Sequence, residues 1–256
     1  MNDALIGCTG LVGGTLLACR SFAAAYRSTT IEGIAGRTFD RIYCAGAPAE
    51  KWRANRDPDA DRANLRRLVD AVSKARARKL VLISTVDVFG DPRRVTEYDE
   101  PTDATPYGRH RLELETTLAS RFDTLVVRLP GLFGAGLKKN VVYDFLHGNQ
   151  LEKIDARGSF QFYDLARLAR DLDSAEEACL RLVHLATEPV TVGRVAREAF
   201  GIECRNVLAG TPAAYDVRTE HATVFGRGGP YVATADEVLA GLRAFVAAER
   251  EVRRCA

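Results

Sequence analysis

The stretch Ala4-Leu5-Ile6-Gly7-Cys8-Thr9-Gly10-Leu11-Val12-Gly13-Gly14 constrains this chain more than any other, because a short apolar run breaks into spaced glycines and then resumes with the pattern of a helix. A strand that turns directly into a helix needs residues without a Cβ wherever backbone must come close. Gly7 permits the tight turn, Gly10 lets a pyrophosphate approach the main chain, and Gly13 lets the helix pack against the strand. A helix that starts this way presents unpaired N–H groups and a partial positive charge, to which the backbone of Thr9, Leu11 and Val12 contributes. The spacing is Gly-x-x-Gly-x-x-Gly and the reading is a dinucleotide cradle; the alternative is an ordinary glycine-rich strand-to-helix turn.

Composition narrows the partners. The 256 residues are 46% hydrophobic, enough to bury the core of one large domain or of a domain with an appendage. Thirty-six basic against 34 acidic residues leave a net charge of +2, which offers no field toward nucleic acid or membrane. Six cysteines, with no Cys-x-x-Cys among them, fit reduced thiols and no metal site. The first strand begins so near Met1 that no leader is expected, and no apolar run reaches the ~18 residues of a membrane helix. A cytoplasmic location is the expectation.

Downstream, residues 22–26 suit a second strand, ending at Arg27-Ser28. An acid about 20 positions after the first glycine of such a fold bonds the ribose 2′-hydroxyl, whereas an arginine accommodates a 2′-phosphate. Arg27 therefore favours NADP, with NAD still open, and Ser28 suits either. Residues 29–39 are too few for a full helix and strand, so one αβ unit is pared down. The next strand, residues 41–47, ends in Ala45, Gly46 and Ala47, small enough to pass beneath a cofactor or simply to leave the sheet. Asp57-Pro58 opens a helix whose buried face carries Leu65, Leu68, Val69 and Val72, with Asn64 on its border. The apolar run at residues 79–85 reads as a central parallel strand that ends in hydroxyls at Ser84 and Thr85. A later helix begins Pro106-Tyr107-Gly108, and Tyr107 and Arg111, four apart, share one face.

The glycine loop, Ser84-Thr85 with Val88-Phe89-Gly90, the Pro106-Tyr107-Gly108 helix and Val127-Arg128-Leu129-Pro130-Gly131-Leu132-Phe133-Gly134 resemble the extended short-chain dehydrogenase/reductases. Within them the chain is most similar to the NAD-dependent epimerase/dehydratase group that acts on nucleotide sugars, over about its first 145 residues. The resemblance implies that a nicotinamide exchanges hydride with a sugar carbon while Tyr107 exchanges the hydroxyl proton, Thr85 orients the substrate oxygen and Asn64 belongs to a proton relay. It also implies that Pro130 borders the cofactor. Where the family has a lysine one turn after the tyrosine, this chain has Arg111, which keeps the charge in a bulkier, planar group. Dehydratases carry an Asp-Glu pair after the Thr85 position. Here it reads Val86-Asp87, which favours a reductase or epimerase and leaves Asp87 as a substrate contact or a loop acid.

The second half is expected to bind substrate. By the resemblance, the loop with Lys139 and Asn140, which precedes a helix at residues 141–147, reaches the nucleotide diphosphate; the alternative is a solvated Lys138-Lys139 pair. Arg218, in the polar cluster 215–221, either clamps a phosphate or carboxylate or serves a surface ion pair. His184 reads as a core histidine on a last strand, Thr191 as a helix cap, and residues 238–246 as an amphipathic helix. The expected architecture is a doubly wound parallel α/β sheet, with residues 1–135 as the NAD(P)-binding Rossmann domain and 136–256 as a substrate lobe interleaved with the last sheet elements. The expected function is an NAD(P)-dependent oxidoreductase or epimerase on a sugar-like, nucleotide-linked substrate, in a possible homodimer. The alternative is a cofactor-binding regulator or scaffold without chemistry.

Overall fold

A computed structural model describes residues 2–102 and 104–255. In chain order the first elements are β1 (Ala4–Ile6), α1 (Leu11–Cys19), β2 (Ala24–Tyr26), β3 (Thr38–Cys44), α2 (Lys51–Arg56), α3 (Pro58–Val72), β4 (Arg76–Thr85), α4 (Pro106–Ala119) and β5 (Thr124–Leu129). There follow β6 (Gly131–Phe133), α5 (Val141–His147), β7 (Ser159–Phe160), β8 (Phe162–Asp164), α6 (Leu168–Glu177), β9 (Leu182–His184), β10 (Val190–Thr191), α7 (Val192–Val195) and α8 (Ala235–Cys255). They form two compact units. The first comprises Met1–Asp91, Glu97–Leu129 and Leu168–His184; the second comprises Pro92–Thr96, Pro130–Arg167 and Leu185–Ala256.

The first unit is built on a six-stranded, all-parallel sheet in the order β2-β1-β3-β4-β5-β9, a Rossmann-type arrangement. Strand alternation divides its apolar residues between two faces. Ala4, Ile6, Ile42, Cys44, Leu80, Leu82 and Val126 meet Leu65, Leu68 and Val72 of α3 and Leu114 and Leu118 of α4. Leu5, Tyr43, Val81, Leu125 and Val127 are buried on the other face, where the Tyr43 hydroxyl and Arg41 Nε both reach Glu176 of α6, at 2.9 and 2.7 Å. Asp57 caps α3 by accepting from the N–H of Ala60, with Pro58 in the first turn as predicted.

The chain runs from β1 outward to β2 and then back across β1 to β3, so the strand order reverses beside β1. Ligands of open α/β sheets bind at such a reversal, beyond the carboxyl ends of the strands. The β2–β3 connection is short, as the spacing predicts. A single 3-10 turn, Ile31–Ile34, replaces a helix and buries Ile31 and Ile34 in the core of the α3 face. β2 is shorter than expected, starting at Ala24 and not Phe22. Phe22 instead packs edge-on against the Tyr43 ring.

In the second unit, β6 pairs parallel with β8 and β7 antiparallel with β10. Phe133, Phe145, Phe162, Phe200, Leu239 and Leu242 form its core. Gln161 joins the unit's segments through its side chain, donating to the Val217 carbonyl at 2.7 Å and accepting from the Val217 N–H at 2.8 Å. Thr191 caps α7 by accepting from the Arg194 N–H. The closing helix α8 buries Leu239, Leu242 and Val246 as predicted, with Phe245 half-buried, and runs on well past residue 246 to Cys255.

Two of the three spaced glycines are fixed by backbone contact. A Cβ on Gly13 would stand 2.1 Å from the Gly7 carbonyl oxygen, and one on Gly7, whose φ is +85°, would stand 2.2 Å from the Ala45 oxygen. A Cβ on Gly10 would meet only the Gly7 oxygen at 3.4 Å. We expect Gly13→Ala to lower stability in urea unfolding by at least about 2 kcal/mol, since backbone must move, and Gly10→Ala to cost less than about 1 kcal/mol. Equal losses would contradict this account of the turn.

Candidate active site

The cradle is held by main-chain bonds. Gly7 and Cys8 N–H groups donate to the Tyr26 carbonyl at 2.8 and 3.2 Å, Gly10 N–H to Gly7 O at 3.0 Å, and Ala45 N–H to Ile6 O at 2.9 Å. The carboxyl ends of β1, β2 and β3 are thereby joined at one place. Thr9 and Gly10 are exposed there, with Leu11 and Val12 half-buried. The start of α1 carries no side-chain cap and no acid in its first turn, so its N–H dipoles face outward uncompensated. Arg27 and Ser28, both exposed, follow directly on the β2 end that accepts from Gly7. Ala45, Gly46 and Ala47, half-buried, leave β3 beside the Gly7 turn.

The second group of predicted residues meets at the carboxyl end of β4. The Thr85 side chain accepts from the Asp87 N–H at 3.1 Å and hydrogen-bonds the Tyr107 side chain. α4 begins directly against this turn, because Gly108 has no side chain: a Cβ there would stand 2.0 Å from the Asp87 carbonyl oxygen. Tyr107 is buried, and burial pushes its phenol above the ordinary value of 10.0. The Arg111 charge pulls it back down, Asp87 pushes it up, and the Thr85 hydrogen bond and Lys51 pull it down; the net direction is upward. At neutral pH the group is an acid with a proton to give.

Arg111 lies beneath the phenol, its guanidinium carbon 4.0 Å from the ring centroid. It is one of the largest fully buried side chains and is held by the Asp61 carboxylate and the Pro48 carbonyl oxygen. His110 Nδ1 is 2.8 Å from the same Asp61 oxygen. Arg111 Nε is buried without a hydrogen-bond partner among the described residues. Asn55 and Lys51 of α2 also border the site, Asn55 Oδ1 accepting from the Tyr107 N–H and Lys51 pairing with Asp87, and like Asp61 they lie outside the sequence motifs. Asp61 falls four residues before Leu65 on the buried stripe of α3, and an acid on an apolar stripe marks a buried partner. Asn64, expected in a relay, is exposed on α3, while Asp61 is the α3 side chain that reaches Arg111.

Other candidates lie in the second unit. Pro130 is buried between β5 and β6 in the chain, and Lys139 is exposed. Asn140, at φ +100°, spends its amide locally, accepting from Val142 and Tyr143 N–H and donating to the Leu132 carbonyl, and so caps α5. Arg218 forks onto Asp216 at 3.0 and 3.2 Å, the ion-pair alternative for this residue. In the first unit, His184 is buried on β9 beside Arg128 at 3.3 Å, as a core histidine should be. The described residues contain no group of side chains that could hold a metal ion, and none of their helices is long and apolar enough to cross a membrane.

The sequence model of the NAD dependent epimerase/dehydratase family matches residues 25–193, more than half of the chain. The chain belongs to that family. No curated protein matches it by sequence. Among solved structures, it is similar to a UDP-N-acetylglucosamine 4-epimerase from Methanobrevibacter ruminantium, in complex with UDP-N-acetylmuramic acid, at 13% identity and a TM-score of 0.75, covering 96% of this chain and 97% of that one. It is similar to an NAD-dependent NDP-hexosamine 5,6-dehydratase involved in tunicamycin biosynthesis at 15% identity and a TM-score of 0.74, covering 98% of each chain. It also resembles RMD from Pseudomonas aeruginosa, complexed with NADPH, at 17% identity and a TM-score of 0.73, covering 96% and 98%. These likenesses establish that this epimerase/dehydratase family member has the family fold over nearly its whole length.

The Arg111–Asp61 pair yields a stability test. Removing one partner of a buried pair strands the other charge, at about 3–5 kcal/mol, whereas replacing both by apolar groups is often close to neutral. Asp61→Ala is therefore expected to destabilise strongly in urea unfolding, and Asp61→Ala with Arg111→Met to recover most of the loss. A double variant as unstable as the sum of the singles would refute the pairing.

Proposed function

We propose that this protein is an NAD(P)-dependent oxidoreductase or epimerase acting on a sugar-like, nucleotide-linked substrate, with Tyr107 as its acid and base. The observation that carries the reading is the Thr85–Tyr107 hydroxyl pair at the end of β4, in the same unit as an uncapped, acid-free helix start. The first compact unit is then the cofactor unit and the second the substrate lobe. Solved structures of similar fold include complexes with nucleotide sugars and NAD, and one with NADPH.

The residues present fit a dinucleotide. The open side of Gly10 and the N–H groups of Thr9, Leu11 and Val12 suit a pyrophosphate, Gly7 and Gly13 shape the loop, and Arg27 and Ser28 suit the adenosine ribose, with a 2′-phosphate favoured by Arg27. Ala45, Gly46 and Ala47 line the neighbouring strand end, with Pro130 a further candidate. The buried Nε–H of Arg111 is a donor left over for a ribose or amide oxygen. When bound, the nicotinamide supplies or accepts hydride. Tyr107 then gives a proton to the substrate oxygen as a carbonyl is reduced, or takes one as an alcohol is oxidised, while Thr85 holds that oxygen by a hydrogen bond. Because burial holds the phenol above its ordinary value, Tyr107 at neutral pH is in the protonated form that reduction of a carbonyl requires. Asp87, Lys139, Asn140 and Arg218 are the substrate contacts proposed from the resemblance. Of these, Asn140 is engaged in a helix cap, Arg218 on Asp216 and Asp87 with Lys51.

One observation supports a second reading, a cofactor-binding regulator without turnover: two of the three Arg111 nitrogens are spent on Asp61 and Pro48. Hydride exchange across a panel of nucleotide sugars separates the two. An enzyme exchanges with at least one member, and Tyr107→Phe lowers that rate about 10²–10⁴-fold with cofactor binding retained. Reduction should hold its rate through neutral pH and fall only as Tyr107 loses its proton above pH 10, while oxidation should rise with pH. A bell centred near neutrality would remove Tyr107 from the role. Equilibrium binding of NADPH and NADH tests Arg27: NADPH should bind more tightly, and Arg27→Asp should abolish that preference. Binding of neither would withdraw the catalytic assignments.

A further inference from the structure

α2 is only six residues long, yet two of its side chains act on the start of α4. Lys51 and Asn55 lie one helical turn apart and so share a face. Asn55 Oδ1 accepts from the Tyr107 backbone N–H at 3.0 Å, supplying the cap that Thr105 does not. Lys51 Nζ is 2.8 Å from Asp87 Oδ1. Asp87 is tied to both catalytic candidates, since its N–H holds Thr85 Oγ1 and its carbonyl oxygen lies under Gly108.

We propose that Lys51 is a positioning residue for proton transfer at Tyr107, neutralising the Asp87 carboxylate beside the phenol and keeping the Thr85–Asp87 turn in register with it. The proposal rests on the reading of Tyr107 given above. The charged groups facing this tyrosine are Arg111 on its own helix, with Asp61 of α3 and its neighbour His110 behind it, Asp87 from the turn after β4, and Lys51 from α2. Arg111 is already offset by Asp61 at the ring face. Of the charges outside its own helix, Asp87 holds the proton on Tyr107 and Lys51 helps release it. An ammonium on a flexible stem also follows a moving charge, which a guanidinium pinned by a carboxylate and a carbonyl does not. This divides between two residues the work that one lysine does in the resemblance: Arg111 the fixed charge, Lys51 the mobile one. The Lys51 side chain is 41% exposed, so its effect is weakened by solvent and falls with added salt.

The test reads Tyr107 directly in the whole protein labelled with 3-fluorotyrosine, whose more acidic phenol titrates at lower pH, the Tyr107 fluorine signal being assigned with Tyr107→Phe. Lys51→Met is expected to move the titration up, Lys51→Arg to leave it near the parent, and Asp87→Asn to move it down. Lys51→Met made on the Asp87→Asn background should move the titration up by less than it does in the parent. A titration unchanged in Lys51→Met, or a rise just as large without the Asp87 charge, would overturn the proposal. Because neither cofactor nor substrate is needed, failure here is distinct from failure of the functional reading, which shows as absent cofactor binding or hydride exchange in the parent protein.

Discussion

At the carboxyl end of β1, three stretches of main chain approach more closely than any side chain would allow, and the rest of the first unit is positioned by that approach. Gly7 stands between the Ala45 carbonyl and the start of α1, and Gly13 lies on the Gly7 carbonyl. Packing α1 this near the strand brings its first N–H groups to the point where the strand order reverses. The same closeness draws the end of β3 beside the turn, so that Ala45, Gly46 and Ala47 lead the chain to Pro48, whose carbonyl holds Arg111. The cradle and the tyrosine are thus linked through a short run of backbone and the Arg111 side chain.

Burial decides what charge can do around Tyr107. A cation beneath a phenol would favour phenolate if it stood alone, but Arg111 is buried and needs a partner, which Asp61 supplies. Pairing makes the guanidinium tolerable in the interior and removes much of its long-range pull. What remains is a stacked, oriented charge 4.0 Å from the ring, less than the burial penalty on the phenol. The protein thereby keeps a neutral hydroxyl in a site assembled from charged groups.

Much of this was legible in the sequence, and the division follows the range of the interactions. The glycine turn, the Asp57 cap, the hydroxyl end of β4 and the Tyr107–Arg111 face are set by neighbours within a few residues, so spacing reveals them. Asp61, Asn55 and Lys51 act on residues 36 to 52 positions away, and only the packing of α2 and α3 against α4 brings them there. Asn140 and Arg218 went the other way. Both have the chemistry of a phosphate donor, and both are engaged by near neighbours in sequence, Arg218 by Asp216 and Asn140 by Leu132, Val142 and Tyr143.

The shortened β2–β3 connection shapes the edge of the sheet beside Arg27. With only a 3-10 turn over this edge, Ile31 and Ile34 cover the sheet and the Tyr26 hydroxyl is held by Arg37 at 2.7 Å, and among the described residues no further strand flanks β2. Arg27 therefore stands exposed at the sheet's edge, where its charge is screened and its side chain is unconfined. A 2′-phosphate, itself doubly charged and solvent-tolerant, gains from an arginine in that setting. A 2′-hydroxyl, which needs a fixed acceptor at hydrogen-bond distance, gains little. The short connection and the exposed Arg27 are thus one structural fact seen twice, and the proposed 2′-phosphate contact rests on that edge.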